Sequence, residues 1–353
     1  MAQVAMITDT HFGIKNDSPD FIEHQSKYYR EVFFPDLKDR GIDTILHLGD
    51  IFDRRKYTNH QTLHAFKEAF FDMLIEHDIH MYLILGNHDV YYKSTNSVNS
   101  PELFLTQYSD HITVINEPKV LKIKGSKIAM IPWINAQNYD ESLEFMDTCG
   151  CEVLCGHFEI KGFEMHRGGG VNNTGLKAEI FDPFEIVFSG HFHEPSSDGR
   201  ITYLGAPYEY TWADFGCDRG HYIFDPKSHD LEYVKNPDRM YYRITYDELF
   251  SPDDYDVDQL EGKIVRVIVA DKVDNDRFEQ FVEEVQNAGP SNFEIIDNVS
   301  YHVDEENLDQ EALKSEDTLA IVKSYVNESD IALDKDKINT MFKSLFMEAI
   351  ALE

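Results

Sequence analysis

Gly86-Asn87-His88-Asp89 follows the apolar run Met81-Tyr82-Leu83-Ile84-Leu85. The run has the length and aliphatic content of a buried strand, and the glycine then delivers three polar side chains at its end. Four other motifs repeat this arrangement. Asp9-Thr10-His11 follows Val4–Ile7, and Gly49-Asp50-Ile51-Phe52-Asp53 follows Thr44–Leu48. Gly156-His157 follows Glu152–Cys155, and Gly190-His191-Phe192-His193 follows Glu185–Phe188. In layered α/β folds the loops at the C-terminal ends of strands converge on one crevice. Five motifs far apart in sequence are therefore expected to build one site.

Asp, His and Asn together suit a pair of divalent ions, Mn²⁺ with Mg²⁺ as the alternative. Two such ions about 3.5–4 Å apart hydrolyse phosphate esters, and that spacing requires a shared ligand. A carboxylate bridges best, which points to Asp50. Asp9, His11 and His193 are expected to complete one shell, and Asn87, His157 and His191 the other. His191 and His193 reach separate ions if Gly190 forms a tight loop. His88 is next to Asn87, and neighbouring side chains diverge in an extended loop. It is expected to face the substrate, as donor to the leaving oxygen or as a phosphate clamp. Asp53 is expected to orient His88 through a hydrogen bond. Arg54, Arg55 and Lys56 form a basic cluster beside this motif and are candidates for phosphate contact. A single Asp, His or basic triplet is ordinarily just solvated. The weight lies in the ordered set, each member placed after an apolar strand.

The chain has 353 residues, enough for two or three domains. Its 65 acidic against 32 basic residues give a net charge of −33. Proteins that hold nucleic acid unaided are usually basic. Either the substrate is not a large polyanion, or a partner supplies much of the phosphate contact. The N-terminus lacks the pattern of a signal peptide, and no apolar run approaches the ~20 residues of a membrane span. The expectation is a cytoplasmic protein without membrane contact, its four cysteines reduced. Cys149, Cys151, Cys155 and His157 depart from the usual zinc spacing, and Cys155 reads as a core residue.

Further strands are expected at Ile128–Ile131, Thr202–Leu204, His221–Phe224 and Leu231–Val234. Helices are expected near 21–38, 59–76, 101–107 and 138–147. In the second, Leu63, Phe66, Phe70, Met73 and Leu74 recur at helical spacing. The fold class is α/β: a β-sandwich flanked by helices over 1–240, with a small β-α-β domain over 241–300. Its expected elements are a strand at 263–270, a helix at 275–286 and a strand at 293–299. An acidic linker over 301–317 leads to a helical segment over 318–353. There Ile338, Met341, Phe342, Leu345, Phe346 and Ala349 share one face suited to a partner's groove. Gly168-Gly169-Gly170 is not a nucleotide loop, because Lys-Ser/Thr does not follow. It is expected to be a surface loop near the substrate.

With these motifs assembled, the chain resembles the calcineurin-like metallophosphoesterase superfamily over about residues 5–195. Within it the chain is most similar to SbcD-type nucleases of double-strand-break repair, and closest to the recombination endonuclease subunits of large tailed phages. The residues that carry this are Gly49 to Asp53, Gly86 to Asp89, Ile131-Pro132-Trp133, Gly156-His157-Phe158-Glu159 with Gly162-Phe163, Ser189 to His193, and Tyr203-Leu204-Gly205-Ala206-Pro207. The resemblance implies a Mn²⁺-dependent nuclease with 3′-to-5′ exonuclease activity on duplex ends and endonuclease activity on single strands. It implies a capping domain at 263–299 and an SMC-like coiled-coil ATPase subunit as partner. It also implies a homodimer formed through helices near 59–76 and 101–107, which offers the Leu63, Phe66 and Phe70 stripe a second role as interface. Two rival functions remain: a phosphoesterase for a small cyclic or monoester substrate, and a scaffold without catalysis. The second is disfavoured because all seven ligand positions are filled.

Overall fold

The computed structural model describes residues 3–164, 171–247, 256–270 and 275–297. The Gly168-Gly169-Gly170 run, the acidic linker and the C-terminal helical segment lie outside the described residues.

The strands are β1 (Val4–Ile7), β2 (Thr44–His47), β3 (His80–Ile84), β4 (Ile112–Ile115), β5 (Lys119–Ile123), β6 (Ser126–Ile131), β7 (Val153–His157), β8 (Ile186–Gly190), β9 (Ser196–Ser197), β10 (Ile201–Tyr203), β11 (Gly220–Phe224), β12 (Leu231–Lys235), β13 (Tyr241–Tyr246), β14 (Ile264–Val269) and β15 (Asn292–Asp297). They form two six-stranded sheets, ordered β12-β11-β1-β2-β3-β4 and β5-β6-β7-β8-β10-β9, and a three-stranded sheet ordered β13-β14-β15. In the first, β1 to β4 are parallel neighbours; in the second, β6, β7, β8 and β10 are.

Period-two alternation explains the layers. Val4, Met6, Leu46 and Leu48 pack with Ile128, Met130, Val153, Cys155 and Phe188 in one core between the two large sheets. The intervening Ala5, Ile7 and Ile45 face the helices Pro19–Tyr28, Phe34–Arg40 and His60–Phe66. Ala129, Ile131, Leu154 and Val187 face a third core with Met146 of the helix Tyr139–Thr148. Both faces of each large sheet are covered, so its central strands read as continuous apolar runs.

Two helices are widened by π turns, at Tyr29–Phe33 and Lys67–Phe71. The wide turn brings the adjacent Phe70 and Phe71 both into the core, where each is fully buried. Phe66 stacks on Phe12 with centroids 3.7 Å apart, one residue beyond His11. The stripe of this helix is therefore core packing, and Phe66 and Phe70 are not available as an interface.

The β-α-β pattern at 264–297 appears with its helix at Asn275–Asn287. Its sheet carries a further parallel strand, β13, which the sequence reading did not contain. The strands β4, β5 and β9 were likewise not anticipated. Phe21 of the first helix packs with Met240 and Tyr241, and Asp238 joins Lys263 at 2.8 Å with His24 beside it. Among the described residues no helix is long and apolar enough to cross a membrane.

Candidate metal centre

The five motifs meet at the C-terminal ends of β1, β2, β3, β7 and β8. A group of His11, Asp53 and His88 shares His11 with the first of two further clusters of ligand atoms: Asp9, His11 and His193, and Asp50, His157 and His191. Asp50 stands between them. Its Oδ2 is 3.7 Å from His11 Nε2 and 3.3 Å from His157 Nε2. Its Oδ1 accepts the His88 backbone N–H at 2.7 Å. Asn87 Oδ1 lies 3.0 Å from His157 Nε2, which places it with the second cluster.

Backbone geometry aims these groups. Asp9, His11, Asp50 and His191 all have left-handed φ, at 51°, 42°, 55° and 90°. Such conformations cost roughly 1–3 kcal/mol each and persist where the surroundings hold them. Here they do. Asp9 N–H donates to the Gly49 carbonyl at 2.9 Å and His11 N–H to the Asp50 carbonyl at 3.0 Å. The Tyr210 hydroxyl donates to the Asp9 carbonyl, and the Tyr208 hydroxyl to the Thr10 carbonyl at 2.8 Å. His191 N–H meets both Asp9 carboxylate oxygens, at 3.0 and 3.1 Å. The tight turn expected at Gly190 is made by His191 itself. Gly190 serves close approach instead, because a Cβ there would run into Thr8, His157 and the Leu48 carbonyl. A Cβ at Gly86 would strike the Asp50 carboxylate.

The donor set fits a pair of divalent cations. Asp9, His11, Asp50, Asn87 and His157 are buried. His157 Nδ1 faces the Leu48 carbonyl at 2.8 Å. A carbonyl only accepts, so Nδ1 carries the proton and Nε2, facing Asn87 and Asp50, is the nitrogen that could ligate a metal. Burial drives the imidazoles of His11 and His191 down, the latter to about 3, and that of His193 down as well, which keeps them neutral as ligation requires. Burial also opposes charge on Asp50, but His157 and His88 outweigh it and hold the carboxyl well below its ordinary range. Burial pulls His157 down, yet Asp50 beside it wins and raises it to about 9. An imidazole between Asp50 and Asn87 is thus in a field that attracts positive charge.

His88 is half-buried, its ring 4.8 Å from that of His11. Its Nδ1 meets the backbone carbonyl of Asp53 at 2.5 Å, so the hydrogen bond between these two residues runs through the main chain. The Asp53 carboxylate turns instead toward His11 Nδ1, at 3.6 Å. The physical reason is the turn after Phe52: Asp53 N–H bonds the Phe12 carbonyl, which swings the side chain to the first cluster. Within the basic triplet the members differ. Arg54 is held by Asp17 at 2.6 Å and Asn16 at 2.8 Å. Lys56 is exposed. Arg55 is partly buried with one buried guanidinium nitrogen, Nη1, lacking a partner.

Three supports escaped the sequence reading. Asp89 is fully buried and accepts the N–H groups of Gly86 at 2.8 Å, Asp50 at 2.9 Å and Ile51 at 3.0 Å. Tyr208 and Tyr210 clamp the first loop, as above. Arg219, buried and paired with Asp214 at 2.6 Å, donates to the His193 carbonyl. The alternation Tyr208-x-Tyr210 was the available signal, since it marks two side chains on one face.

A two-cluster site at the strand ends of a helix-flanked β-sandwich defines a metal-dependent phosphoesterase. The chain belongs to the calcineurin-like phosphoesterase family, whose profile it matches over residues 2–195. It is 28% identical over 343 residues to exonuclease subunit 1 of Enterobacteria phage T4, covering 95% of both chains. Among solved structures it is similar to a dimetal phosphatase from Danio rerio (TM-score 0.42, 9% identity, covering 63% of this chain and 91% of that one). It is also similar to an archaeal phosphodiesterase (TM-score 0.33, 11% identity, covering 66% and 99%).

Proposed function

We propose that this chain is a DNA nuclease: a two-metal phosphodiesterase that degrades duplex ends 3′ to 5′ and cuts single strands during recombination and break-end processing. One observation carries the reading. Similarity to the phage exonuclease subunit runs along 95% of both chains, well beyond the 2–195 match that any phosphoesterase of this family would share.

Asp9, His11 and His193 would hold one cation and Asn87, His157 and His191 the other, with Asp50 placed to serve both. When bound, two Mn²⁺ ions, or Mg²⁺, neutralise the phosphate and lower the pKa of a coordinated water. His88 carries its Nδ1 proton toward the Asp53 carbonyl, which leaves Nε2 facing outward to hold a proton for the leaving oxygen. Asp53 steadies both histidines, His88 through its carbonyl and His11 through its carboxylate. Arg55, half-buried beside the site, directs its positive charge at the DNA backbone, with Lys56 at the rim and Arg54 bracing the loop.

The net charge of −33 is a poor match for unaided DNA binding. An SMC-like ATPase subunit that supplies most of the phosphate contact resolves it, docking on residues 318–353. Leu103 and Ile75, 64% and 50% exposed, are the apolar groups through which a homodimer forms.

The test is cleavage of a 3′-labelled blunt duplex by the full chain, with Mn²⁺ and with EDTA. Metal-dependent release of label that His88→Ser abolishes supports the reading. Hydrolysis of a small diester with no action on DNA, alone or with the ATPase subunit, replaces it with the small-substrate esterase.

A further inference from the structure

Beside the second cluster lies a cleft of about 510 Å³, lined by Trp133, Ile134, Tyr139, Leu176, Lys177 and Ile180, with His157 in its wall. Its size falls within the roughly 300–1,000 Å³ of small-ligand sites. Because His157 belongs to the proposed metal shell, the cleft adjoins the second cluster.

The walls are rigid. Trp133 is tied by its N–H to the Leu85 carbonyl at 2.7 Å, and its own carbonyl accepts Asn96 at 3.0 Å and Asn138 at 3.1 Å. The indole stands with its centroid 5.3 Å from the His191 ring and 6.0 Å from the His157 ring. The opposite wall is pinned by the Leu176 N–H to the Glu159 carbonyl at 2.8 Å and the Lys161 N–H to the Leu176 carbonyl at 2.9 Å. The Glu159 carboxylate is engaged by the Thr174 hydroxyl at 2.6 Å. Trp133 is half-buried, while Tyr139 is 42% exposed and Lys177 is exposed at the mouth.

We propose that this cleft is a nucleobase subsite. It rests on the nuclease reading above. The base beside the scissile phosphate leaves the helical stack and lies against Trp133 and Tyr139, with Ile134, Leu176 and Ile180 around it. Lys177 meets the neighbouring phosphate. Aromatic side chains accept any base, since every base has a π face, so the subsite reads single-strandedness rather than sequence. It ties metal-site occupancy to an unstacked nucleotide and makes frayed ends and single strands the productive substrates.

The experiment compares a single-stranded oligonucleotide with one carrying an abasic tetrahydrofuran unit at the terminal nucleotide. Full-length Mn²⁺-loaded protein is assayed for kcat/KM, and binding is followed by fluorescence anisotropy in EDTA. The parent should prefer the base-bearing strand by about tenfold in both readouts, the scale of one base stacked on an aromatic ring. In Trp133→Ala the preference should collapse toward one, and Trp133→Phe, which keeps a ring and fills the cleft, should retain part of it. DNA cleavage with the same preference in Trp133→Ala as in the parent overturns the subsite alone. A parent that does not distinguish the two strands assigns the cleft to another occupant. No cleavage of either strand, alone or with the ATPase subunit, removes the nuclease reading and this inference with it.

Discussion

The carboxylate of Asp89 accepts the backbone N–H of Asp50 at 2.9 Å, across 39 residues of sequence. It fastens the β2 and β3 loops to each other, and with them the bridging ligand and Asn87. Replacing Asp89 by Ala leaves several buried N–H groups unpaired, each costing about 1–3 kcal/mol. We expect Asp89→Ala to melt at lower temperature and to bind Mn²⁺ about 10–100-fold more weakly, the usual effect of losing a group that orients ligands. Calorimetry of the metal titration checks this. Undiminished affinity would show that the ligands hold their own positions.

His88 and Asp50 separate chemistry from metal binding. His88→Ser should abolish cleavage and bind both metals as the parent does. Asp50→Ala should lose metal as well as activity. Equal cleavage by His88→Ser and the parent would remove His88 from the reaction.

The arginine pair makes a sharper test of DNA contact. Arg55→Ala should lower DNA cleavage several-fold and flatten its salt dependence, with Mn²⁺ affinity kept. Arg54→Ala should act through the loop instead, because it breaks the 2.6 Å pair with Asp17. Its expected signature is a lower melting temperature. If Arg54→Ala rather than Arg55→Ala changed the salt slope, the assignment would be reversed.

Phe66 lies face to face with Phe12 at 3.7 Å and is fully buried. Phe66→Ala should cost about 3–5 kcal/mol in a denaturant melt. The cavity sits under the His11 loop, so metal affinity should fall too. A change in oligomeric state at constant stability would restore the interface role.

Acid stability should depend on Asp238. Burial alone would raise its pKa, but hydrogen bonds from His24 and Lys263 hold it well below the ordinary value. A carboxyl with a depressed folded pKa adds stability above its unfolded value of about 3.9. That contribution is lost as pH falls through the folded pKa. The melting temperature of Asp238→Asn should therefore be lower than the parent's at neutral pH, and the gap should begin to narrow below about pH 4 and close only as pH falls through the depressed folded value. Parallel curves down to low pH would mean the pair contributes nothing.

The sequence by itself determined the strand pattern of the large sheets and the candidate ligands that gather at their ends. Each signal was local: an apolar run of strand length, a glycine, then Asp, His or Asn at its end. That is why Asp9, His11, Asp50, Asn87, His157, His191 and His193 could be named together. Strands with one open face, such as β5 with Lys119 and Lys122, carry too few apolar residues to stand out, and β13 lay just ahead of an acidic stretch. Tertiary structure alone decided the orientation of side chains. Asp53 meets His88 through its carbonyl and His11 through its carboxylate because a backbone bond to Phe12 fixed its turn. His191 took the left-handed conformation expected of Gly190 because the Asp9 carboxylate holds its N–H. Arg54 and Arg55 look alike in sequence, yet one is consumed by Asp17 and the other keeps a buried nitrogen unpaired. The Trp133 cleft joins segments around 133, 157 and 176 whose proximity follows from sheet order. Hydrogen bonds and packing between distant segments settle such matters, and no local pattern of residues encodes them.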